Sequence, residues 1–474
     1  MKPYTKRYTL LILTAFVMSL LSSCKDYFDL NSNPNLISNP PLASSLSTTT
    51  QKTGLNSQRV ANITSYFVQY LASPGTASPT DTYQSTDYTG TWDYVYFGMA
   101  DLYDMKKNAQ EQGASEYVGV ADVMLAYHLT LIADMFGDAP FSDAFTGTTL
   151  TPKYDTGQTL YSTALTLLNE GITELAKTDS KLKLSAPNDL IHKGSTAAWT
   201  KTAYMLKARM LTKVSKQGTY KAADVLDAVS KSYASNADDA QMATFQLRNP
   251  WAQIARDNAN LLLDGWLSAQ LINQLNGTTY GVFDPRIEKI TDKTVNNDYK
   301  GTVNGQGNVG AANTIKDENY ISLNSPLTGD ASPLLIATYA ELKFIEAEAA
   351  FRAGDKTRAY TAYLAGIQAN MDKYGVAAAA RDAYLANPVV AVGATALTID
   401  LIFKEKYVAT YLNPEAWNDA RRYDYQYKGF KLPANAALPT FIRRAAYPSG
   451  EISKNGINVP TEATLSEPLW WDKK

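Results

Sequence analysis

Residues 333–355 read PLLIATYAELKFIEAEAAFRAGD, and this stretch decides the fold. Leu335, Tyr339, Leu342, Glu346 and Ala349 recur at steps of three and four, which puts them on one face of an α-helix. Gly354-Asp355 makes a turn, and residues 357–375, TRAYTAYLAGIQANMDKYG, supply a return helix. Small side chains at Ala347, Ala350, Ala353, Ala359 and Ala362 allow the two helices to approach closely. That is the logic of a tetratricopeptide-like hairpin, although the full Trp/Pro signature of that repeat is absent.

Helical periodicity extends outward from this pair over most of the chain. Ser115 is positioned to cap a helix with the stripe Val120, Met124, Tyr127, Leu131 and Met135, ended by Gly137 and kept from resuming by Pro140. Residues 156–177, 195–217 and 397–413 read as further helices, and Asn413-Pro414-Glu415 has the cap, proline and acid of a helix start. Between the helices lie long irregular stretches, 73–91, 276–330 and 425–468, rich in Gly, Asn, Thr, Ser and Pro. Loops of that length in a compact protein are usually functional or mobile. The expected fold is therefore all-α, with helical hairpins presenting long loops.

At the N-terminus, Lys2, Lys6 and Arg7 precede an apolar run from Leu10 to Leu21, too short to span a bilayer. The run ends in Leu21-Ser22-Ser23-Cys24, the spacing of a bacterial lipoprotein cleavage site, and Cys24 is the only cysteine in 474 residues. We read 1–23 as a lipoprotein signal peptide, and Cys24 as the residue that receives diacylglyceryl and acyl (palmitate) chains. Residues 24–41 form a lipidated, Asn- and Pro-rich tether, and 42–474 a single helical domain. A lone cysteine leaves no disulfide, so stability must come from the core. Loss of the leader removes three cations and no acid, taking the net charge from −2 to −5. That balance excludes a basic nucleic-acid binder. No second apolar stretch approaches about 20 residues, the length of a transmembrane helix.

Reaction motifs are weak. Residues 305–310 match G-x-G-x-x-G, but polar flanks replace the strand and helix a dinucleotide site needs, so the match reads as a glycine-rich loop. Asp29, Asn31 and Asn33 resemble the start of an EF-hand loop, which Pro34 and Pro40 then contradict. The two histidines, His128 and His192, are far apart, and His128 sits on the apolar side of its helix as a buried structural residue would. No metal site or cofactor is expected. Glu341, Glu346 and Glu348 could supply a carboxylate pair for glycoside hydrolysis, but ion pairs with Lys343, Arg352 or a neighbouring helix are their ordinary use.

Aromatics remain as candidates. The chain has 31 Tyr against 14 Phe, a bias toward rings with a polar handle. Tyr83 and Tyr88 lie in the loop before Trp92, which stands at a loop-to-helix junction; core residue and ligand platform are both open for it. Tyr280 and Tyr299 occupy the second loop system, with Asn276, Asn297 and Asn304 as polar partners. Trp251, Trp266 and Trp417 sit in helical patterns and read as core.

Several segments together resemble the SusD/RagB family, in particular its SusD-like branch of nutrient-binding outer-membrane lipoproteins. They are CKDYFDLNSNPN (24–35), ADVMLAYHLTLIADMFGDAPFSDAF (121–145) with its Gly-x-x-Pro-Phe turn, and Asp284-Pro285-Arg286. The hairpin start AELKFIEAEAAF (340–351), IFKEKYVATYLNPEAWNDARRYDY (402–425), RRAAYPSGEISKN (443–455) and Trp470-Trp471-Asp472 complete the series in the expected order. The resemblance implies a tetratricopeptide-like helical fold and lipid-anchored display on the outer membrane, facing the exterior. It implies non-catalytic capture of oligosaccharide, or of peptide in some relatives, and delivery to a SusC-like TonB-dependent transporter. It also places Trp92 by context at the ligand site. A glycoside hydrolase and a protein-interaction scaffold are the alternatives.

Overall fold

The computed structural model describes residues 40–259, 264–308, 317–461 and 464–473. The signal peptide, Cys24 and nearly all of the tether lie outside these residues, as do Val309 and Gly310 of the glycine-rich loop. From Leu42 onward the chain forms one unit.

The helical stack is built by neighbours in sequence. Helices α1 (Leu42–Phe67), α2 (Thr89–Glu111), α3 (Ser115–Phe136), α4 (Gly157–Leu175), α5 (Thr196–Lys213) and α6 (Ala222–Ser230) each pack on the next. The stack then skips about a hundred residues of chain. Helix α6 packs not on α7 (Pro250–Ala259), α8 (Ala269–Leu275) or the single turn α9 (Ile287–Ile290), but on α10 (Tyr339–Arg352). Helix α10 pairs with α11 (Lys356–Lys373), which is followed by α12 (Ala378–Leu385), α13 (Ile399–Ala409), α14 (Glu415–Arg422) and α15 (Ser449–Asn455). Two short antiparallel pairs complete the unit: β1 (Leu71–Ala72) with β3 (Trp266–Leu267), and β2 (Ala240–Met242) with β4 (Leu334–Ala337).

Local chemistry sets many of the helix starts. Side chains of Thr156, Ser195, Ser268, Thr338, Asp355 and Thr398 each accept a backbone N–H from the first turn of the helix they precede. Asn413 does the same for the N–H of Glu415 at 2.9 Å. The expected cap at Ser115 is corrected: Ala114 is the cap residue and Ser115 the first residue of α3. Leu335 and Trp266 also differ from expectation, because both lie in strands rather than helices. The hairpin stripe therefore begins at Tyr339, and its buried face runs through Ala340, Leu342, Phe344, Ile345, Ala347, Ala349 and Ala350.

Helix α3 is long and apolar enough by length and composition to cross a membrane, contrary to the expectation of no further such stretch. Its most apolar window is 89% buried inside the protein, against α2, α4 and other elements. Two glycines make the closest of these contacts. A Cβ on Gly119 would lie 2.6 Å from Leu175 Cγ and 2.9 Å from the Gly171 carbonyl oxygen, and one on Gly171 would meet the Gly119 oxygen at 3.0 Å. Helices α3 and α4 thus cross backbone to backbone.

Candidate ligand-binding site

Three loops that look irregular in sequence are sewn together. The Gly305 N–H donates to Asp81 Oδ2 at 2.6 Å, and its carbonyl accepts from the Ala77 N–H at 3.0 Å and Asn435 Nδ2 at 3.2 Å. The Asn308 N–H reaches the Pro74 oxygen at 2.9 Å, the Ala434 N–H the Asn304 oxygen at 2.8 Å, and the Ala437 N–H the Thr82 oxygen at 2.8 Å. A Cβ on Gly305 would stand 1.8 Å from the Ala434 oxygen, and one on Gly307 2.7 Å from the Pro74 oxygen. Both residues have positive φ. These two glycines let three chain segments pass at contact distance.

Asp81 is the buried fastener of this junction. Its carboxylate accepts the N–H groups of Ser73, at 3.2 Å, and Gly305, together with the Asn304 amide. Burial nevertheless pushes its pKa up to about 6, because desolvation outweighs the three donors.

The junction forms one wall of an open cleft of about 390 Å³, within the range of ligand pockets. Helix α8, the Gly277–Thr279 turn and residues 429–433 form the rest. Gln69 Nε2 donates to the Lys431 carbonyl at 2.6 Å and Gln270 Nε2 to the Lys428 carbonyl at 3.2 Å, which ties the 428–431 backbone across the cleft. The side chains of Asn273 and Thr279 line the cleft and make no hydrogen bond among the described residues. They are available to a ligand's hydroxyl groups. Beside Thr279, the half-buried Tyr280 ring lies 4.8 Å from Lys404 Nζ and 5.6 Å from Lys428 Nζ. Burial raises its phenol to about 12, so it stays a neutral donor.

The expected ligand residues do not all meet here. Asn304 is buried in the cleft wall, accepting from Ser268 Oγ at 2.5 Å and donating to the Leu71 oxygen at 2.9 Å and to Asp81. Asn276 is spent on its own loop, donating to the Tyr299 oxygen at 3.1 Å and accepting the Thr278 N–H at 2.9 Å. Asn297 is an exposed turn residue with φ +60°, and Tyr299 packs beside the exposed Phe283. Tyr88 is half-buried just before α2. Trp92 is only 4% exposed, packed among Tyr96, Phe136, Tyr154 and Tyr447, and Tyr83 is buried edge-on against Phe67. Of the two readings open for Trp92, the structure gives core packing, and neither its ring nor that of Tyr83 offers a face to solvent. The exposed aromatics of α2 are instead Tyr94, Phe97 and Tyr103, 49%, 56% and 38% exposed, with the Arg59 guanidinium 3.9 Å over the Tyr94 ring.

Gln270, Asn273, Lys428 and Lys431 were not singled out by sequence reasoning. The signal available was AQLINQL (269–275), where Leu271, Ile272 and Leu275 are buried and the polar positions fall between them.

The acids of the hairpin are committed elsewhere. Glu341 receives Arg209 at 2.7 Å, Glu348 receives Arg422 at 2.7 Å and Arg352 at 2.9 Å, and Glu346 pairs with Lys343 and with Arg358 at 2.8 Å. Lys343 and Arg352 are the partners the sequence suggested. Asp284 and Glu405 hold the fully buried Arg286, which also donates to Asn370 at 2.9 Å. His128 is fully buried, its Nδ1 2.9 Å from the Met124 oxygen, as expected of a structural histidine.

A family model described as SusD-like, starch-binding and associating with the outer membrane, matches residues 34–448. The chain belongs to the SusD-like family. Its fold is shared with a chitin-binding SusD homologue from Flavobacterium johnsoniae, at 21% identity and TM-score 0.76 over 90% of this chain and 98% of that one. A SusD/RagB family protein from Bacteroides thetaiotaomicron has 22% identity and TM-score 0.75, covering 91% of this chain and 99% of that one. A SusD homologue from Parabacteroides distasonis has 22% identity and TM-score 0.75, covering 92% and 98%. No curated protein matches in sequence. The SusD-like fold identifies the helical stack as the family's tetratricopeptide-like scaffold, and the family as one of binding proteins associated with the outer membrane.

Proposed function

We propose that this SusD-like protein captures oligosaccharide in the cleft between α8 and residues 429–433, without catalysis, and delivers it to a SusC-like TonB-dependent transporter. A lipid on Cys24 would hold it at the outer membrane, facing the exterior. The observation that carries the reading is the cleft of about 390 Å³ with Asn273 and Thr279 uncommitted and Tyr280 next in the chain to the lining Thr279. A sugar presents hydroxyl groups that need amide and hydroxyl partners, and C–H faces that suit an aromatic ring. The family's description as starch-binding, and the chitin-binding relative, support a glycan over a peptide. The engaged carboxylates of the hairpin support binding without turnover.

The test is calorimetry with a panel of neutral and acidic oligosaccharides and with peptides. We expect glycan binding without hydrolysis, weakened by about tenfold in Asn273→Ala and Tyr280→Ala, each side chain supplying roughly one ligand hydrogen bond or ring contact. Binding of peptides alone, or release of sugar from the bound glycan, would refute the reading.

A further inference from the structure

We propose that the cleft selects acidic oligosaccharides, those carrying a uronate carboxylate or a sulfate, through Lys428 and Lys431. This rests on the cleft being the glycan site. Among the described residues, those that line it include Lys431 and no carboxylate. Lys428 precedes the lining Gly429, with its Nζ 5.6 Å from the Tyr280 ring. Among the described residues neither lysine forms an ion pair, and both are exposed.

Lys404, also near the Tyr280 ring, is neutralised by Glu405 at 2.8 Å, and Lys406 by Asp419 at 2.8 Å. The nearby carboxylates bond to other groups. Asp400 accepts the Tyr423 hydroxyl at 2.5 Å, and Glu405 serves Arg286, Lys404 and the Tyr384 hydroxyl. Asp81 faces inward to Ser73, Asn304 and Gly305. Among the described residues none of these carboxylates forms an ion pair with Lys428 or Lys431.

The backbone that carries them is held in place. The carbonyls of Lys428 and Lys431 accept from Gln270 and Gln69, and Gly429 between them has φ +83°. The chain thus fixes the loop at both lysines while, among the described residues, pairing neither ammonium with a carboxylate. Amide and hydroxyl groups inside the cleft would bind the sugar ring, and the cationic rim would receive its acidic substituent. The whole chain carries a net charge of −2, so long-range attraction does not explain such a preference; it must arise at the rim.

The experiment compares tetragalacturonate, a sulfated galactan tetrasaccharide and neutral galactotetraose on the full-length protein by calorimetry, at about 0.05 and 0.5 M NaCl. We expect one or both acidic ligands to bind roughly tenfold more tightly than the neutral one at low salt, consistent with two exposed charge contacts. The advantage should shrink at high salt and vanish in K428Q/K431Q, whose melting temperature should match that of the parent. Preference for the uronate or for the sulfate identifies the anion. Equal binding of all three, or binding of the neutral ligand alone, overturns the inference while leaving glycan capture intact. An acid preference that survives in K428Q/K431Q also overturns it. If none of the three binds and the wider glycan panel is also silent, both readings fall.

Discussion

At the scale of single residues, the structure separates aromatic rings that hold the fold from those that can meet a ligand. Trp92 fills a pocket of four other rings, and truncating it would leave a cavity that rigid neighbours close only in part. We expect Trp92→Ala to lower the unfolding free energy by about 3–5 kcal/mol in urea titrations. Glycan affinity of the remaining folded protein should be little changed. Loss of affinity with full stability would place Trp92 at the ligand after all. Arg286 is the polar counterpart. The Asp284-Pro285-Arg286 motif is a buried charge cluster in which one guanidinium joins Asp284, Asn370 of α11 and Glu405 of α13. Such a cluster contributes specificity of packing more than net stability, since desolvation offsets much of the Coulomb attraction.

At the scale of elements, small residues decide which helices touch. The alanines of α10 and α11 permit their pairing, and Gly119 opposite Gly171 permits the crossing of α3 on α4. Because the nearest atoms to a Cβ at Gly119 include the Gly171 carbonyl, the methyl group of Gly119→Ala cannot be absorbed by turning one side chain. The helices must move apart, which costs about 1–3 kcal/mol in overpacked cores. A melting curve should show a clear drop for Gly119→Ala. An unchanged melting temperature would mean that α3 and α4 can separate freely.

At the scale of the whole molecule, buried ionisable groups oppose one another as pH falls. Burial pushes His128 down to about 4, below the usual 6.5, so its neutral form supports the fold above pH 6.5 and that support is lost as pH falls toward 4. Burial pushes Asp81 and Asp122 up to about 6 from 3.8, so the folded state takes up protons more readily and gains stability as pH falls from 6 to 3.8. These trends offset each other in the same window. Glu348 differs: burial raises its pKa, but Arg422, with Arg352 and Lys406, overrides this and holds it near 2. Its contribution is present above its ordinary 4.5 and is lost as pH falls through 4.5 toward 2. Melting temperature should therefore change little between about pH 7 and 5 and fall steeply below about 4.5. A steep loss already near pH 6 would contradict this balance. The anchor acts at the same scale. Each acyl methylene contributes about 0.8 kcal/mol on entering the bilayer, so Cys24→Ala should move the protein from the membrane to the soluble fraction. Retention in the membrane pellet with labelled lipid attached would exclude Cys24 as the acylation site.

The sequence by itself determined the helical hairpin, its turn at Gly354-Asp355, the buried character of His128 and the membership that its scattered motifs suggested. These depend on local periodicity, on small residues at helical spacing, and on residue types whose preferences act within a few positions. Only the tertiary structure decided that Leu335 and Trp266 lie in strands, since a two- to four-residue strand exists only through its distant partner. It alone showed that the helical stack resumes at α10 after about a hundred residues, and that the glycine-rich loop runs between residues 74–77 and 434–435. The cleft follows from that passage. Its walls come from chain segments up to some 360 residues apart, as in the bond from Gln69 to the Lys431 carbonyl. Periodicity cannot signal such a meeting, because each segment alone is a polar loop or a short helix, and the site exists only where hydrogen bonds between backbones bring them together.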